Sequence, residues 1–279
     1  MTDLILHHYP QSPFAEKARL LLGFKGLSWH SVMIPPVMPK PDLTALTGGY
    51  RRTPVLQVGA DIYCDTALIA RRLEQEKAAP ALFPEGQEAA AASLAQFADQ
   101  VLFQHAVAIN FQPKGLAERF AGMPEQVIKG FVADRQKLFS GGTASRLDTE
   151  VALGQWPALL SRLETQLERD GDFLLGSQPS IADFSHYHAL WFVASNRAVA
   201  DALEPYPAVR AWMQRVRDIG HGSHAELSAD EAIRIAREAT PAALPTDAIS
   251  SPTGLAAGQE VIVNAVDYGT DEVAGTLLY

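Results

Sequence analysis

Apolar residues in the first quarter of the chain come in short runs bounded by proline and glycine, the rhythm of strands alternating with helices. Residues 4–9 (LILHHY) are such a run, ended by Pro10, and predict a buried strand. Ser12 and Pro13 then open a helix, since a serine hydroxyl caps free amides and proline suits the first helical position. Phe14, Ala18, Leu21 and Leu22 form its apolar set, and the glycines at 23 and 26 close it. Residues 27–34 (LSWHSVMI) predict a second strand, and the proline-rich stretch after them a long loop with a short helix near 42–46. Residues 53–58 (TPVLQV) and the pair Ile62 and Tyr63 read as two strands joined by a tight turn, followed by a helix from Asp65 to about Glu76. The order is β-α-β-loop-β-β-α.

A linker at 77–86, with Pro80 and Pro84, ends this pattern. Apolar spacings of three and four then recur at 88–112, 124–139, 150–169, 180–196 and 207–219, which predicts an all-helical domain with no strands. A last helix at 228–236 leads into a linker at 240–254 rich in proline, serine and threonine. QEVIVNAVD and EVAGTLLY after it read as a hairpin at 260–279. The chain divides into an α/β unit at 1–77, a helical unit at 88–224 and an extension at 225–279. Two strands alone are marginal in water, so the hairpin has to dock on the helical unit or on a partner, or belong to something larger. Over the cleft between the two units is one place for it.

A length of 279 residues fits two domains with an appendix. The net charge of −9 supplies no basic field for phosphates and argues against a nucleic-acid partner. Cys64 is the single cysteine, so the chain has no internal disulfide, no CxxC pair and no cysteine cage for zinc, which suits a reducing cytoplasm. The N-terminal residues lack the basic and apolar regions of an export signal, and no run of about 18 apolar residues predicts a membrane span. The histidines at 7, 8, 105, 186 and 188 make no metal-binding spacing, and no metal is expected.

Three segments carry chemistry. Ser12 stands at a helix start, where a hydroxyl and free amides favour an anion such as a thiolate, and Tyr9 is close enough to be the second choice for that work. In Arg51-Arg-Thr-Pro-Val-Leu56, a cis bond before Pro54 would turn the backbone of Thr53 outward to pair with an extended peptide. In Cys64-Asp-Thr-Ala-Leu-Ile69, the helix start at Asp65 and Thr66 suits a carboxylate, while Asp65 meets an ammonium. Singly these are ordinary capping or turn residues; the signal is their order and spacing. Ser180 and Asp183 form an S-x-x-D capping pair and read as structural.

In that order the three segments resemble the N-terminal, thioredoxin-like domain of the glutathione transferase superfamily, and residues 180–184 (SIADF) resemble the capping segment of its helical C-terminal domain. The resemblance, to the serine-type members, spans roughly 3–220. It implies that Ser12 activates the glutathione sulfur, that Thr53 before Pro54 pairs with the cysteinyl backbone, and that Asp65 and Thr66 hold the γ-glutamyl end. It assigns Arg52 or Lys40 to the glycyl carboxylate. Phe14, Phe103 and Phe111 are the candidate wall for a small apolar electrophile, and a twofold homodimer is implied. Conjugation, dehalogenation and isomerisation all fit, within a detoxification role. Two other readings compete: a non-catalytic scaffold acting through 225–279, and a disulfide reductase that would need an exposed, acidic Cys64 thiol.

Overall fold

The structure is a computed structural model that describes residues 3–144, 146–244 and 254–278. Strand β1 (Leu4–His8) lies at the centre of a five-stranded sheet, with every residue buried. It runs parallel to β2 (Trp29–Met33) and antiparallel to β3 (Val55–Val58), which pairs in turn with β4 (Asp61–Cys64). Helix α1 (Pro13–Phe24) crosses from β1 to β2, α2 (Pro41–Thr47) fills the long loop, and α3 (Thr66–Glu76) follows β4. The order drawn from the apolar runs is the observed one.

The fifth strand is β5 (His224–Glu226), parallel to β2 with Trp29 opposite His224. The hydrophobic pattern gives no strand there, and the expectation that strands end with the linker is corrected. A three-residue, fully exposed edge strand has no alternation to read; the free edge of β2 supplies its pairing. Helix α11 (Ala229–Glu238) then buries Ala232 against Ile5 and Val32, and Gln57 Nε2 donates to the Ala232 carbonyl at 2.8 Å. Residues 224–238 are therefore part of the sheet layer.

The helical unit comprises α4 (Glu88–Phe97), a π turn (Ala98–Leu102), α5 (Phe103–Asn110), α6 (Pro113–Arg119), α7 (Glu125–Leu138), α8 (Thr149–Asp170), α9 (Ile181–Ala194) and α10 (Pro207–Asp218). The single helical run read at 88–112 is thus broken by the π turn, and α6 is too short to leave a periodic signal. Helix α9 is buried along nearly its whole length and packs on α1, α4 and α5, so one apolar core runs through both units. Asp183 anchors it: its carboxylate accepts from the Ser180 amide and hydroxyl, the Leu174 amide and Trp212 Nε1, all at about 3 Å. The S-x-x-D pair works as a cap and as a buried tie between three segments. Strands β6 (Glu260–Val263) and β7 (Val273–Thr276) form the C-terminal hairpin; the last residue of the stretch read as hairpin, Tyr279, and residues 245–253 of the linker lie outside the described residues.

His8, at the end of β1, sits between a donor, Arg19, and an acceptor, Ser31. Arg19 Nη1 lies 3.0 Å from Nδ1, so Nδ1 accepts and the proton resides on Nε2, which donates to Ser31 Oγ at 3.0 Å. Burial and then the Arg19 charge push its pKa down to about 3. Above the ordinary value of 6.5, His8 is neutral in both states and its contribution to stability is intact. As pH falls from there toward 3 only the unfolded chain takes up the proton, so stability is lost. Urea unfolding at a series of pH values is expected to lose about 1.4 kcal/mol per pH unit from this residue between pH 6 and 4. His8→Gln should flatten that limb; an unchanged slope would mean the ring is not held neutral.

Candidate active site

Ser12 caps α1: its Oγ accepts from the Ala15 amide at 3.2 Å, leaving the hydroxyl proton to donate elsewhere, and the residue is 3% exposed. Helix α3 opens in a more unusual way. Asp65 has φ of +78°, the one positive φ among the described non-glycine residues, and its Oδ1 accepts from the Ala67 amide at 2.8 Å. Such backbone costs of order 1–3 kcal/mol and survives where surrounding structure over-determines it, often at ligand sites. The Thr53–Pro54 bond is cis, the isomer that the sequence left open.

Phe14, Arg52, Thr53, Pro54, Asp65 and Thr66 come together around one small cavity of about 40 Å³, which the first turns of α1 and α3 therefore both border. Two walls went unread in the sequence. Tyr50 follows a Gly-Gly turn, and burial pushes its phenol pKa well above the usual range. Tyr268 comes from the loop between β6 and β7, more than 200 residues away, and no local signal could have found it. Ser12 does not line this cavity but lies two residues from Phe14, which does. Lys40 also stands outside it: its Nζ donates to Thr53 Oγ1 at 3.0 Å and to the Arg51 carbonyl, with its pKa lowered to about 8 mainly by burial. The Tyr9 ring faces the same ammonium at 5.9 Å. A larger surface groove of about 510 Å³ lies between α9 and α10, lined by Pro207, Arg210, Met213 and Arg217, and shares no residue with the sheet. Its volume is no guide to the chemistry, which gathers at the helix starts.

Of the aromatic wall, Phe14 and Phe103 touch edge to face with centroids 4.7 Å apart, and His188 packs on Phe14 at 4.5 Å. Phe111 does not touch either; it joins the row through Phe192, with Arg119 over both rings. Behind Thr66 lies a buried polar chain. Lys17 Nζ donates to Thr66 Oγ1 at 3.3 Å and to Asp99 Oδ2 at 2.6 Å, and His188 Nε2 meets Asp99 Oδ1 at 2.8 Å. Burial opposes a charge on Asp99, but Lys17 and then His188 outweigh it and hold the carboxyl well below the ordinary range. Burial depresses the His188 pKa, so the imidazole is neutral and donates. Thr66 accepts from Lys17, which leaves its own hydroxyl proton free to donate.

Cys64 is half-buried among Ile34, Leu43 and Val55, and burial followed by the Asp65 carboxylate pushes its thiol up to about 11. That is the opposite of the acidic thiol a reductase requires. Among the described residues no group of three or more His, Cys, Asp or Glu could hold a metal ion, and no helix is long and apolar enough to cross a membrane.

Because Lys17 is fully buried, Asp99→Ala strands its ammonium and is expected to cost about 3–5 kcal/mol in chemical denaturation. The double change Lys17→Met with Asp99→Leu should recover more than half of that loss. If the single variant costs under 1 kcal/mol, water reaches Lys17 and the pair does not join the units.

A family model described as glutathione S-transferase, N-terminal domain, matches residues 6–81, and one described as glutathione S-transferase, C-terminal domain, matches 115–215. The chain is similar to a GST-like protein from Pseudomonas syringae known from a crystal structure, with 52% identity, all of this chain and 88% of that one covered, and a TM-score of 0.83. Two more distant structures share the fold. One is glutathione S-transferase-I bound with lactoylglutathione, at 17% identity over 84% of this chain and 99% of that one, with a TM-score of 0.56. The other is the β-etherase LigF from Sphingobium sp. strain SYK-6, at 17% identity over 84% and 99%, with a TM-score of 0.55. No curated protein matches the chain significantly.

Proposed function

Since the chain belongs to the glutathione S-transferase family, we propose that it binds glutathione as a co-substrate, activates its thiol and transfers it to a small apolar electrophile. The observation that carries this reading is the meeting of Thr53, Pro54, Asp65, Thr66 and Phe14 around one cavity at two helix starts. No single stretch of sequence holds these residues; the fold gathers them.

Each group has work suited to its chemistry. Asp65 offers a carboxylate to the γ-glutamyl ammonium, while the Thr66 hydroxyl and the free amides of α3 take the γ-glutamyl carboxylate. Thr53 pairs with the cysteinyl backbone, and Arg52 is the group that faces the glycyl carboxylate. Ser12 donates its hydroxyl proton to the sulfur and, with the positive end of α1, favours the thiolate. The thiol proton leaves to solvent, and the sulfur lone pair forms a bond to an electrophilic carbon as that carbon's leaving group departs or its π electrons shift. The electrophile lies along Phe14 and Phe103. The lactoylglutathione held by the distant relative is a glutathione thioester, in keeping with a thiol site on this fold. Tyr9 is a weaker choice than Ser12, being engaged with Lys40. The scaffold reading has less support, because much of 225–279 is spent on the sheet and on the cavity wall.

Calorimetric titration of glutathione at pH 6.5 and 8, with thiolate absorbance followed in parallel, tests this. The wild type should bind and hold the thiol pKa below that of free glutathione. Ser12→Ala should remove that lowering and cut kcat/KM roughly a hundredfold, while costing only about 1 kcal/mol of stability as a lost cap. Absence of binding at millimolar glutathione would sink the proposal.

A further inference from the structure

The loop joining β6 and β7 is pinned to the cavity by contacts that resemble those of a ligand. Asp267 engages Arg52 through both oxygens, and the Tyr268 carbonyl accepts from the same guanidinium. The Tyr268 ring lies 3.9 Å beneath it and stacks on Phe139. The loop is held from behind as well: the Gly269 amide donates to the Leu138 carbonyl at 2.6 Å, and the Thr143 and Ala144 amides donate to Val266 and Asp267 carbonyls at 2.9 Å. The backbones come so close there that a Cβ at Gly142 would collide with the Asp267 carbonyl. Next to it, Arg51 is committed to Asp134 at 2.6 Å.

We infer that Asp267 and Tyr268 are specificity-determining residues of this site, which cancel the advantage a C-terminal carboxylate would give to a thiol peptide. The inference rests on the reading of Arg52 as the group facing that carboxylate. A ligand carboxylate that reaches Arg52 must break an ion pair already made. Its competitor is a carboxylate on the same chain, present at an effective concentration in the millimolar range or above. Exchanging one carboxylate for another gains little, while uncovering the Tyr268 ring costs its contact with the guanidinium. Thiol peptides are then selected by their γ-glutamyl and cysteinyl parts, which face Asp65, Thr66 and Thr53; these share the cavity with Tyr268 but make their hydrogen bonds to other partners than the loop. Burial works against the charge on Asp267, but Arg52 outweighs it and holds the pKa below the ordinary carboxylate value, so the competition persists through neutral pH.

The test compares affinities for glutathione and γ-glutamylcysteine, which lacks the glycine, in the wild type, Asp267→Asn, Tyr268→Ala and, as a control that keeps the ring, Tyr268→Phe. The wild type and the control should bind the two thiols with similar affinity. Asp267→Asn should shift the ratio toward glutathione by roughly fivefold, the worth of one half-exposed ion pair, and Tyr268→Ala should shift it in the same direction. Independently of any variant, hydrogen exchange at the Gly269 amide should quicken when glutathione binds to the wild type and change less with γ-glutamylcysteine. An unchanged ratio in both variants with both thiols still bound, a loss of glutathione affinity in Asp267→Asn, or undisturbed Gly269 exchange would overturn the inference and leave the transferase reading standing. No binding of either thiol to any of the proteins would overturn both.

Discussion

The ammonium of Lys17 is buried completely, and the way it is neutralised joins the two halves of the molecule. Lys17 belongs to α1, Asp99 to the π turn of the helical unit, His188 to α9 and Thr66 to the start of α3. An unpaired ammonium at that depth would cost several kcal/mol, so the sheet and the helical unit have to meet in the register that brings Asp99 to it. That register also sets Phe14 against Phe103, while Lys17 reaches on to the Thr66 oxygen. Asp99 lies within the π turn, an irregularity that recurs at functional sites.

The site is built from helix starts. Each leaves amides without partners inside the helix and carries a partial positive charge, so neither needs a metal or a large cationic residue to favour an anion. The flanking cations are tied up locally: Lys40 by Thr53 and a carbonyl, Arg51 by Asp134, Arg52 by the hairpin loop. What remains to meet a ligand is mostly dipoles and hydroxyls held by buried structure. Such groups need little rearrangement on binding an anion.

The C-terminal stretch shows how little a boundary drawn on composition says about packing. Residues 224–226 extend the sheet, Ala232 fills a gap over Ile5 and Val32, and the hairpin loop closes on the cavity. A two-stranded hairpin has too small a core to stand alone. Here Gly142 and the carbonyl of Leu138 give it somewhere to dock.

Local patterns sufficed for the strands β1 to β4, helices α1 to α3 and the caps at Ser12, Asp65 and Ser180, because each depends on residues within a turn or two of itself. They also sufficed to nominate Thr53, Asp65 and Thr66, whose segments carry their own turn and cap chemistry. The tertiary structure alone decided the rest. Strand β5 exists because β2 has a free edge, Lys17 and Asp99 are partners because two units dock, and Phe111 reaches Phe14 only through Phe192 and Phe103. Arg52 meets Asp267 across 215 positions of sequence. No spacing rule reaches that far, since the pairing is fixed by packing over the intervening chain and not by anything the two residues share in sequence.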